Sequence, residues 1–302
     1  MSVRRDRMKR LTAKNTGIIT TFDYYKVRYK IVYLIFLLLL LVTVALAVFP
    51  PLWLLLSSFK SAKELYRVPF TLFPERIDFG KVKEVWSQLA FGRYYINSLL
   101  VILGAVVCSV MFNGLFAYAV SVIRPAGNQI IYASVLISLM IPPILNMGPL
   151  FHNIVKLKLI NSYLPLWLVF GANPFYIIMF KTFFDALPKE LFEAATIDGA
   201  SKLQMFRHLV IPLSRPMVVV ISIFTINAAW SDFLLPFLVL KDDAKQTVMV
   251  KIYALYSSMG TSMHFGPDKL LMVLAFSIIP PILLYIIFQK QITTTIATTG
   301  IK

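Results

Sequence analysis

The chain has 302 residues, of which 58% are hydrophobic and 15% are charged. Soluble domains average about 45–50% apolar and about 25% charged residues, so this composition excludes an ordinary soluble domain and indicates a membrane protein. The net charge of +16 raises nucleic-acid binding as an alternative, but no base-reading motif or aromatic stacking surface accompanies the basic residues.

The N-terminal tail, residues 1–30, is strongly basic and directly precedes a long apolar run. It contains nine of the thirty Lys and Arg residues of the chain. A basic block in this position is typical of a cytoplasmic anchor that faces anionic lipid headgroups, so we expect a lipid bilayer as partner and no nucleic acid. The apolar run is too long for a signal peptide and lacks a cleavage site, so we expect it to be retained.

Six membrane-spanning helices are expected, because a crossing helix needs about 20 apolar residues. Uncharged apolar windows lie at residues 31–56, 94–123, 125–155, 159–180 and 270–289, and a sixth window, 216–240, contains one charge, Asp232. Six spans place both termini on one side. With a cytoplasmic N-terminus, 17 basic residues lie inside and 13 outside, so we expect both termini in the cytoplasm.

This count gives the expected organisation of the chain. A basic cytoplasmic tail (1–30) is followed by the first span with an external segment (31–93). The transmembrane core (94–289) contains a polar loop at 188–213, and a threonine-rich tail (290–302) ends the chain.

Three proline pairs lie in the apolar windows, at Pro50-Pro51, Pro142-Pro143 and Pro280-Pro281. Proline removes a backbone donor and clashes with the preceding turn, so we expect these helices to kink or break. The pairs are interpreted either as packing features or as hinges and cavity linings in a protein that changes shape.

Small side chains recur at every fourth residue of the second window, at Ala105, Ser109, Asn113, Ala117 and Ser121. Small residues on one face let helices approach closely, so this pattern predicts a packing face. The alternative for Asn113 is that it lines a pathway.

Motifs of nucleotide binding and hydrolysis are missing from the sequence. It contains no GxxxxGK[ST] loop, no HExxH and no GxSxG elbow. Cys108 is the single cysteine, and the histidines at 152, 208 and 264 have no metal-ligand spacing. We therefore expect no enzyme activity, metal or cofactor on this chain, and transport energy supplied by another subunit. The rival class is a self-sufficient carrier or channel, although the chain offers little for a proton relay.

The polar stretch "EAATIDGASKLQMFRHLVIPLSRP" separates the windows at 159–180 and 216–240. Pro188 suits a helix start, and residues 189–197 are helix formers. Gly199 permits a turn, residues 202–209 predict a second short helix, and Ile211-Pro212-Leu213 is expected to begin the return into lipid. The prediction is two short helices outside the bilayer, presented either to a partner or to the membrane interface.

These residues resemble a known signature. The "EAA", the following glycine and the "IPL" are similar to the EAA motif of permease subunits from binding-protein-dependent ABC importers. The fuller "EAATIDGAS", with "SSFKSAKEL", "YYINSLLV", "MIPPILNMGPL" and "WSDFLLP", resembles the carbohydrate-uptake, maltose-transporter subgroup, from about residue 50 to the C-terminus. The matching positions are Glu193, Ala194, Ala195, Gly199, Ile211, Pro212 and Leu213.

The resemblance implies a fold and a set of partners. The fold is all-α, with six transmembrane helices in the MetI-like arrangement of type I importers and cytoplasmic coupling helices. A second homologous permease, two cytoplasmic ATPases that bind ATP and magnesium, and an external solute-binding protein complete the transporter in the bacterial inner membrane. The solute is a sugar or oligosaccharide, and another solute class is the alternative. The implied ATPase-coupling residues are Glu193, Ala194, Ala195, Asp198, Gly199, Phe206 and Pro212.

Five residues are candidates for the translocation pathway: Asn146, Asn173, Asn227, Trp230 and Asp232. For the asparagines, hydrogen bonding to solute competes with bonding between helices. Trp230 is a sugar-stacking residue or an interfacial anchor, and Asp232 is a pathway residue or a structural cap. Relatives often have asparagine where this chain has Ser231, which puts a role for that position in doubt.

Two further segments resemble functional parts of relatives. The external segment 241–268, with Tyr253, Tyr256, Met259 and Met263, is similar to a loop that reaches into the binding protein's sugar site, and a plain structured loop is the alternative. The tail "QITTTIATTGIK" resembles one that inserts between the ATPases, although chain ends commonly fray.

Overall fold

A computed structural model describes residues 27–258 and 265–299 of the chain, and no β-strand occurs in these ranges. Contacts divide the chain into two units, Met1–Leu56 and Ser57–Lys302. The first unit contains most of helix α1, Val27–Ser58, whose apolar side chains between residues 31 and 49 are exposed. An exposed helix of this composition suits a lipid environment.

The second unit is built entirely from helices within the described residues. It begins with α2 (Ala62–Leu65) and α3 (Phe79–Gln88), followed by the long α4 (Phe91–Ile123). The remaining helices are α5 (Asn128–Ser138), α6 (Pro143–Lys156), α7 (Leu164–Ala172), α8 (Pro174–Asp185), α9 (Lys189–Ile197), α10 (Lys202–Leu213), α11 (Arg215–Ser231), α12 (Leu234–Val239), α13 (Val248–Ser258) and α14 (Pro267–Thr299).

The expected spans correspond to unbroken helices and bent pairs. Helices α1, α4 and the part of α14 up to Gln289 are long and apolar enough to cross a membrane. The other windows contain sharp bends: 102° between α5 and α6, 48° between α7 and α8, and 80° between α10 and α11. If each pair is one span, the described residues contain up to six spans, in agreement with the expected number.

Proline explains two of these bends, because the residue before a proline is disfavoured in the α conformation. Pro142, which precedes Pro143, has ψ of 129°, and Asn173, which precedes Pro174, has ψ of 111°. The other proline pairs do not break their helices, since α1 continues through Pro50-Pro51 and α14 through Pro280-Pro281.

Helix α11 is shorter than the apolar window at 216–240. Helix α11 ends at Ser231, and Asp232 is extended, with φ of −69° and ψ of 124°. The separate helix α12 follows. The single charge of the window therefore lies between α11 and α12 rather than within a helix.

The small-residue face predicted on α4 is confirmed. Ala105, Ser109, Asn113 and Ala117 have no exposed surface, and Ser121 is 3% exposed. The polar members of the row make hydrogen bonds to other helices: Thr225 Oγ1 donates to Ser109 Oγ at 3.0 Å, and Ser121 Oγ donates to Asp185 Oδ1 at 2.6 Å. The row therefore joins α4 to α11 and α8.

Asn113 makes the most hydrogen bonds of this row. Its Nδ2 donates to the carbonyls of Ser109 and Phe170, each at 2.8 Å, and its Oδ1 accepts from the Asn173 amide at 2.9 Å. A fully buried amide with these partners ties α4 to the bend between α7 and α8. The geometry favours the packing role over pathway lining.

Gly104 permits the close approach of α4 and α7. A Cβ added there would lie 2.3 Å from atoms of the Trp167 indole, whose Nε1 donates to the Leu100 carbonyl at 3.1 Å. The rigid ring cannot move aside without weakening this hydrogen bond. We expect Gly104→Ala to lower the free energy of unfolding by about 2 kcal/mol, the size typical of overpacking.

Denaturant unfolding of the purified chain in detergent measures this effect. Gly148→Ala in α6 is the matched control, because no atom lies within 4 Å of its added Cβ. Alanine is also the better helix former, so the control should be neutral or slightly stabilising. Equal losses in both variants would contradict the packing argument.

Candidate functional site

The polar loop predicted at 188–213 contains two short helices, as expected. Helix α9 follows Pro188, and Gly199 has φ of +76°, a conformation that glycine adopts without strain. The Gly199 amide donates to the Thr196 carbonyl at 3.1 Å and the Ala200 amide to the Ala195 carbonyl at 3.0 Å. These bonds satisfy carbonyls at the end of α9 and turn the chain toward α10.

Helix α10 begins with a capping box. The Gln204 amide donates to Ser201 Oγ at 3.3 Å, and the Ser201 amide donates to Gln204 Oε1 at 2.8 Å. This reciprocal pair satisfies two backbone donors at the helix start. The turn and the cap together fix α10 relative to α9.

Most of the predicted coupling residues on α9 and the following turn are exposed. Glu193, Ala194, Asp198 and Gly199 face outward, and Ala195 is half-buried. A shallow concavity of about 340 Å³ lies between the two helices, lined by Ala195, Asp198, Gly199, Ala200, Gln204, Met205, His208 and Leu209. This surface combines small side chains with a negative charge and offers close contact to another protein.

Two apolar residues of this surface were missed by the sequence analysis. Ile197 is 86% exposed and Leu203 is 68% exposed. Large apolar side chains on exposed short helices are typical of a docking surface. Their helical positions, one at the end of α9 and one at the start of α10, were the available signal.

Phe206 lies in the interior rather than on the exposed surface. It is 2% exposed, and its ring centroid is 5.4 Å from that of Tyr118. It belongs to a buried cluster that includes Phe180 and Val210. Phe206 therefore anchors α10 in the buried cluster, whereas α9 packs on that cluster only through the partly buried Phe192 and Ala195.

A sharp bend separates the polar loop from α11. Pro212 is exposed and lies in the last turn of α10, and the 80° bend separates Leu213 from α11. Pro216 occupies the first turn of α11, where its missing donor costs nothing. Helix α11 therefore starts at the beginning of the window predicted at 216–240, and Ile211-Pro212-Leu213 forms the last turn of α10 before the bend.

Three predicted pathway residues lie at helix ends. Asn146 is exposed where a 3-10 turn leads into the α-helical part of α6. Asn173 caps α8, with Oδ1 accepting from the amides of Phe175 and Tyr176 at 3.0 and 3.3 Å. Asp232 follows α11, and its carboxylate lies near the amides that begin α12.

The other two, Asn227 and Trp230, line one groove of about 220 Å³. Asn227 is exposed, whereas Trp230 is 5% exposed. The groove is completed by Tyr95, Leu99, Ile102, Ile226, Pro280, Pro281 and Leu284, from α4, α11 and α14. Asn146, Asn173 and Asp232 do not line it.

An ionic cluster missed by the sequence analysis attaches the segment before α13 to the start of α4. Asp243 accepts from Tyr94 Oη at 2.7 Å, Lys251 Nζ at 2.7 Å and Arg93 Nη2 at 3.1 Å. Burial raises the pKa of Asp243, but the hydrogen bonds from Lys251 and Tyr94 outweigh it and hold the pKa below its usual range. The cluster fixes the N-terminal side of the predicted external segment.

Within the described residues, much of that segment lies in helix α13. Helix α13 contains Tyr253, whose ring centroid is 4.9 Å from that of Phe233, and the exposed Tyr256. Met259, Met263 and His264 lie outside the described residues. Residues 1–26 of the predicted basic tail and the side chains of the predicted C-terminal tail, 290–302, also lie outside them.

The fold defines a polytopic helical membrane protein that presents two short helices, α9 and α10, outside its apolar helices. Residues 112–297, more than half of the chain, match the family described as binding-protein-dependent transport system inner membrane component. The chain belongs to this family and is a permease component of a transporter.

Individual relatives match over most of their length. The diacetylchitobiose uptake system permease protein of Streptomyces coelicolor is 30% identical over 261 residues, covering 86% of this chain and 85% of the relative. The arabinooligosaccharides transport system permease protein of Halalkalibacterium halodurans is 30% identical over 260 residues, covering 85% and 92%.

A solved structure has the same fold. It is a bacterial ABC transporter involved in the import of the acidic polysaccharide alginate. The TM-score is 0.79 at 23% sequence identity, with 91% of this chain and 99% of the other covered.

Proposed function

We propose that this chain forms half of the translocation pathway of an ABC importer for a sugar or oligosaccharide. A second homologous permease subunit forms the other half. Two cytoplasmic ATPases bind ATP and magnesium and hydrolyse the nucleotide, and an external binding protein delivers the solute. The chain lies in the bacterial inner membrane with both termini in the cytoplasm. The chain itself carries no cofactor.

The proposal rests on one observation: α9 presents exposed side chains, and the neighbouring α10 is anchored in the protein interior. Glu193, Ala194 and Ile197 face outward, while Phe206 of α10 is buried among the helices of the second unit. A force applied to α9 therefore reaches the spans through packed side chains, as coupling between sites requires. The carbohydrate relatives support the solute class.

Charge reversal at Glu193 tests the coupling role. We expect Glu193→Lys to insert and fold normally, because an exposed substitution changes stability by about 0.5 kcal/mol or less. The same variant should lose co-purification with the ATPase subunits and should uncouple ATP hydrolysis from uptake in proteoliposomes. Glu193→Gln, which keeps the shape of the side chain, should show an intermediate loss.

Glu75→Lys is the control for the charge change itself. Glu75 is exposed and pairs with Arg67 on the segment between α2 and α3, and exposed pairs of this kind contribute about 0–1 kcal/mol. This control should bind the ATPases as the unmodified chain does. Unchanged coupling in Glu193→Lys, or equal losses in both variants, would contradict the role of α9.

The solute class is tested on the cognate binding protein. We expect it to bind members of a panel of oligosaccharides, measured by calorimetry. If the binding protein bound only a solute of another class, the chain would belong to an ABC importer for that solute class. Uptake by this chain alone in liposomes, without ATPase, would instead favour a self-sufficient carrier.

A further inference from the structure

The proline pair of α14 interrupts its hydrogen-bond ladder without ending the helix. In an α-helix, the amide of each residue donates to the carbonyl four residues earlier. Pro280 and Pro281 have no N–H, so the carbonyls of Phe276 and Ser277 lose their helical donors. Such carbonyls at membrane depth need partners from neighbouring protein or water.

Two aromatic side chains donate to these carbonyls. Tyr95 Oη donates to the Phe276 carbonyl at 2.5 Å, and Trp230 Nε1 donates to the Ser277 carbonyl at 3.1 Å. Tyr95 comes from α4 and Trp230 from α11. Each missing backbone bond is therefore replaced by one side-chain bond from a different helix.

The two donors also contact each other. Their ring centroids lie 5.5 Å apart in an edge-to-face arrangement, a favourable geometry for aromatic pairs. Trp86 packs on Tyr95 and on Phe276 at 5.4 and 5.3 Å. Both donors are held by packing, so their hydrogen-bonding atoms are directed at the two carbonyls.

The same residues form one wall of the groove that contains Asn227. Tyr95, Trp230, Pro280 and Pro281 all line it. A rearrangement of α14 relative to α4 or α11 would change the groove and break at least one of the two hydrogen bonds. The replacement bonds therefore lie where a predicted pathway residue faces open space.

We propose that Tyr95 and Trp230 are positioning residues for transport, which hold α14 to α4 and α11 through the carbonyls freed by Pro280 and Pro281. The three helices then move together when α9 transmits force to the spans. The role of the two residues in transport rests on the proposed function. The assignment of the hydrogen bonds rests on geometry alone.

A rescue experiment tests the pairing. Tyr95→Phe removes only the hydroxyl, and Trp230→Phe removes the indole donor. We expect each to shift the unfolding equilibrium of the purified chain by about tenfold toward the unfolded state, as the loss of a donor to a buried carbonyl implies. Pro280→Ala restores an amide that can donate to the Phe276 carbonyl, so Tyr95→Phe should have no effect in that background. Pro281→Ala should likewise remove the part of the Trp230→Phe effect that comes from the hydrogen bond, and leave the part that comes from the smaller buried ring.

Crossed combinations are the matched controls. Tyr95→Phe in the Pro281→Ala background, and Trp230→Phe in the Pro280→Ala background, should keep their full effects. Equal rescue by matched and crossed prolines, or no effect of either aromatic substitution, would overturn the assignment of the hydrogen bonds.

Uptake per ATP hydrolysed in the assembled transporter tests the positioning role. We expect Tyr95→Phe and Trp230→Phe to lower this ratio severalfold and the matched prolines to restore it. If the ratio of uptake to hydrolysis were unchanged while the stability effects and their rescue were observed, the positioning role would be overturned. The two hydrogen bonds would then be structural only. The stability cycle needs neither solute nor ATPase, so its failure is distinguishable from failure of the proposed function.

Discussion

Replacing Asn113 by leucine is expected to lower the free energy of unfolding by about 3 kcal/mol. The side chain is fully buried, and leucine of similar size leaves the Phe170 carbonyl and the Asn173 amide without the partners they have now. Each buried polar group left unsatisfied costs about 1–3 kcal/mol. The loss should be concentrated at the bend between α7 and α8.

Denaturant unfolding in detergent measures the total loss, and hydrogen exchange at residues 170–176 locates it. Asn146→Leu makes the same substitution at an exposed asparagine and should change stability by about 0.5 kcal/mol or less. Equal stability of the two variants would show that the amide of Asn113 does not support the bend.

The spans were predictable because lipid imposes a simple requirement on sequence. Long apolar windows located α1, α4 and α14, and four-residue spacing identified the buried face that contains Asn113. Bends were harder to predict. Pro142-Pro143 and Pro280-Pro281 are the same dipeptide, yet only the first lies at a break between helices.

The difference between these pairs depends on residues distant in sequence. Tyr95 and Trp230 supply donors to the carbonyls freed in α14, and Tyr95 lies 181 residues from its acceptor. A local pattern carries no information about such partners. The start of α11 was ambiguous for a related reason, because Pro212 and Pro216 are equally good helix starts when read locally.

The candidate site was predictable in its local chemistry and less so in its orientation. Pro188, Gly199 and the alanines indicated two short helices and an exposed negative charge at Glu193. The sequence did not show which apolar residues of the loop turn inward. Phe206 is buried while Ile197 and Leu203 are exposed, and in an apolar chain these three look alike.

Truncating Phe206 is expected to have the largest effect on stability of the substitutions considered. Its ring is 2% exposed and packs on Tyr118, so Phe206→Ala removes a large buried side chain and leaves a cavity. Such truncations cost about 3–5 kcal/mol, and we expect about 4 kcal/mol here. Because Phe206 attaches α10 to the second unit, the exposed α9 should also lose its fixed orientation.

Leu203→Ala is the matched control on the same helix, since Leu203 is 68% exposed and its truncation should cost about 0.5 kcal/mol or less. In the assembled transporter, the two variants should impair different steps. Phe206→Ala should keep ATPase binding but transmit less of the hydrolysis energy to uptake, whereas Leu203→Ala should weaken ATPase binding without loosening α10. Equal stability losses, or an undisturbed uptake-to-hydrolysis ratio in Phe206→Ala, would show that force reaches the spans by a route other than this aromatic contact.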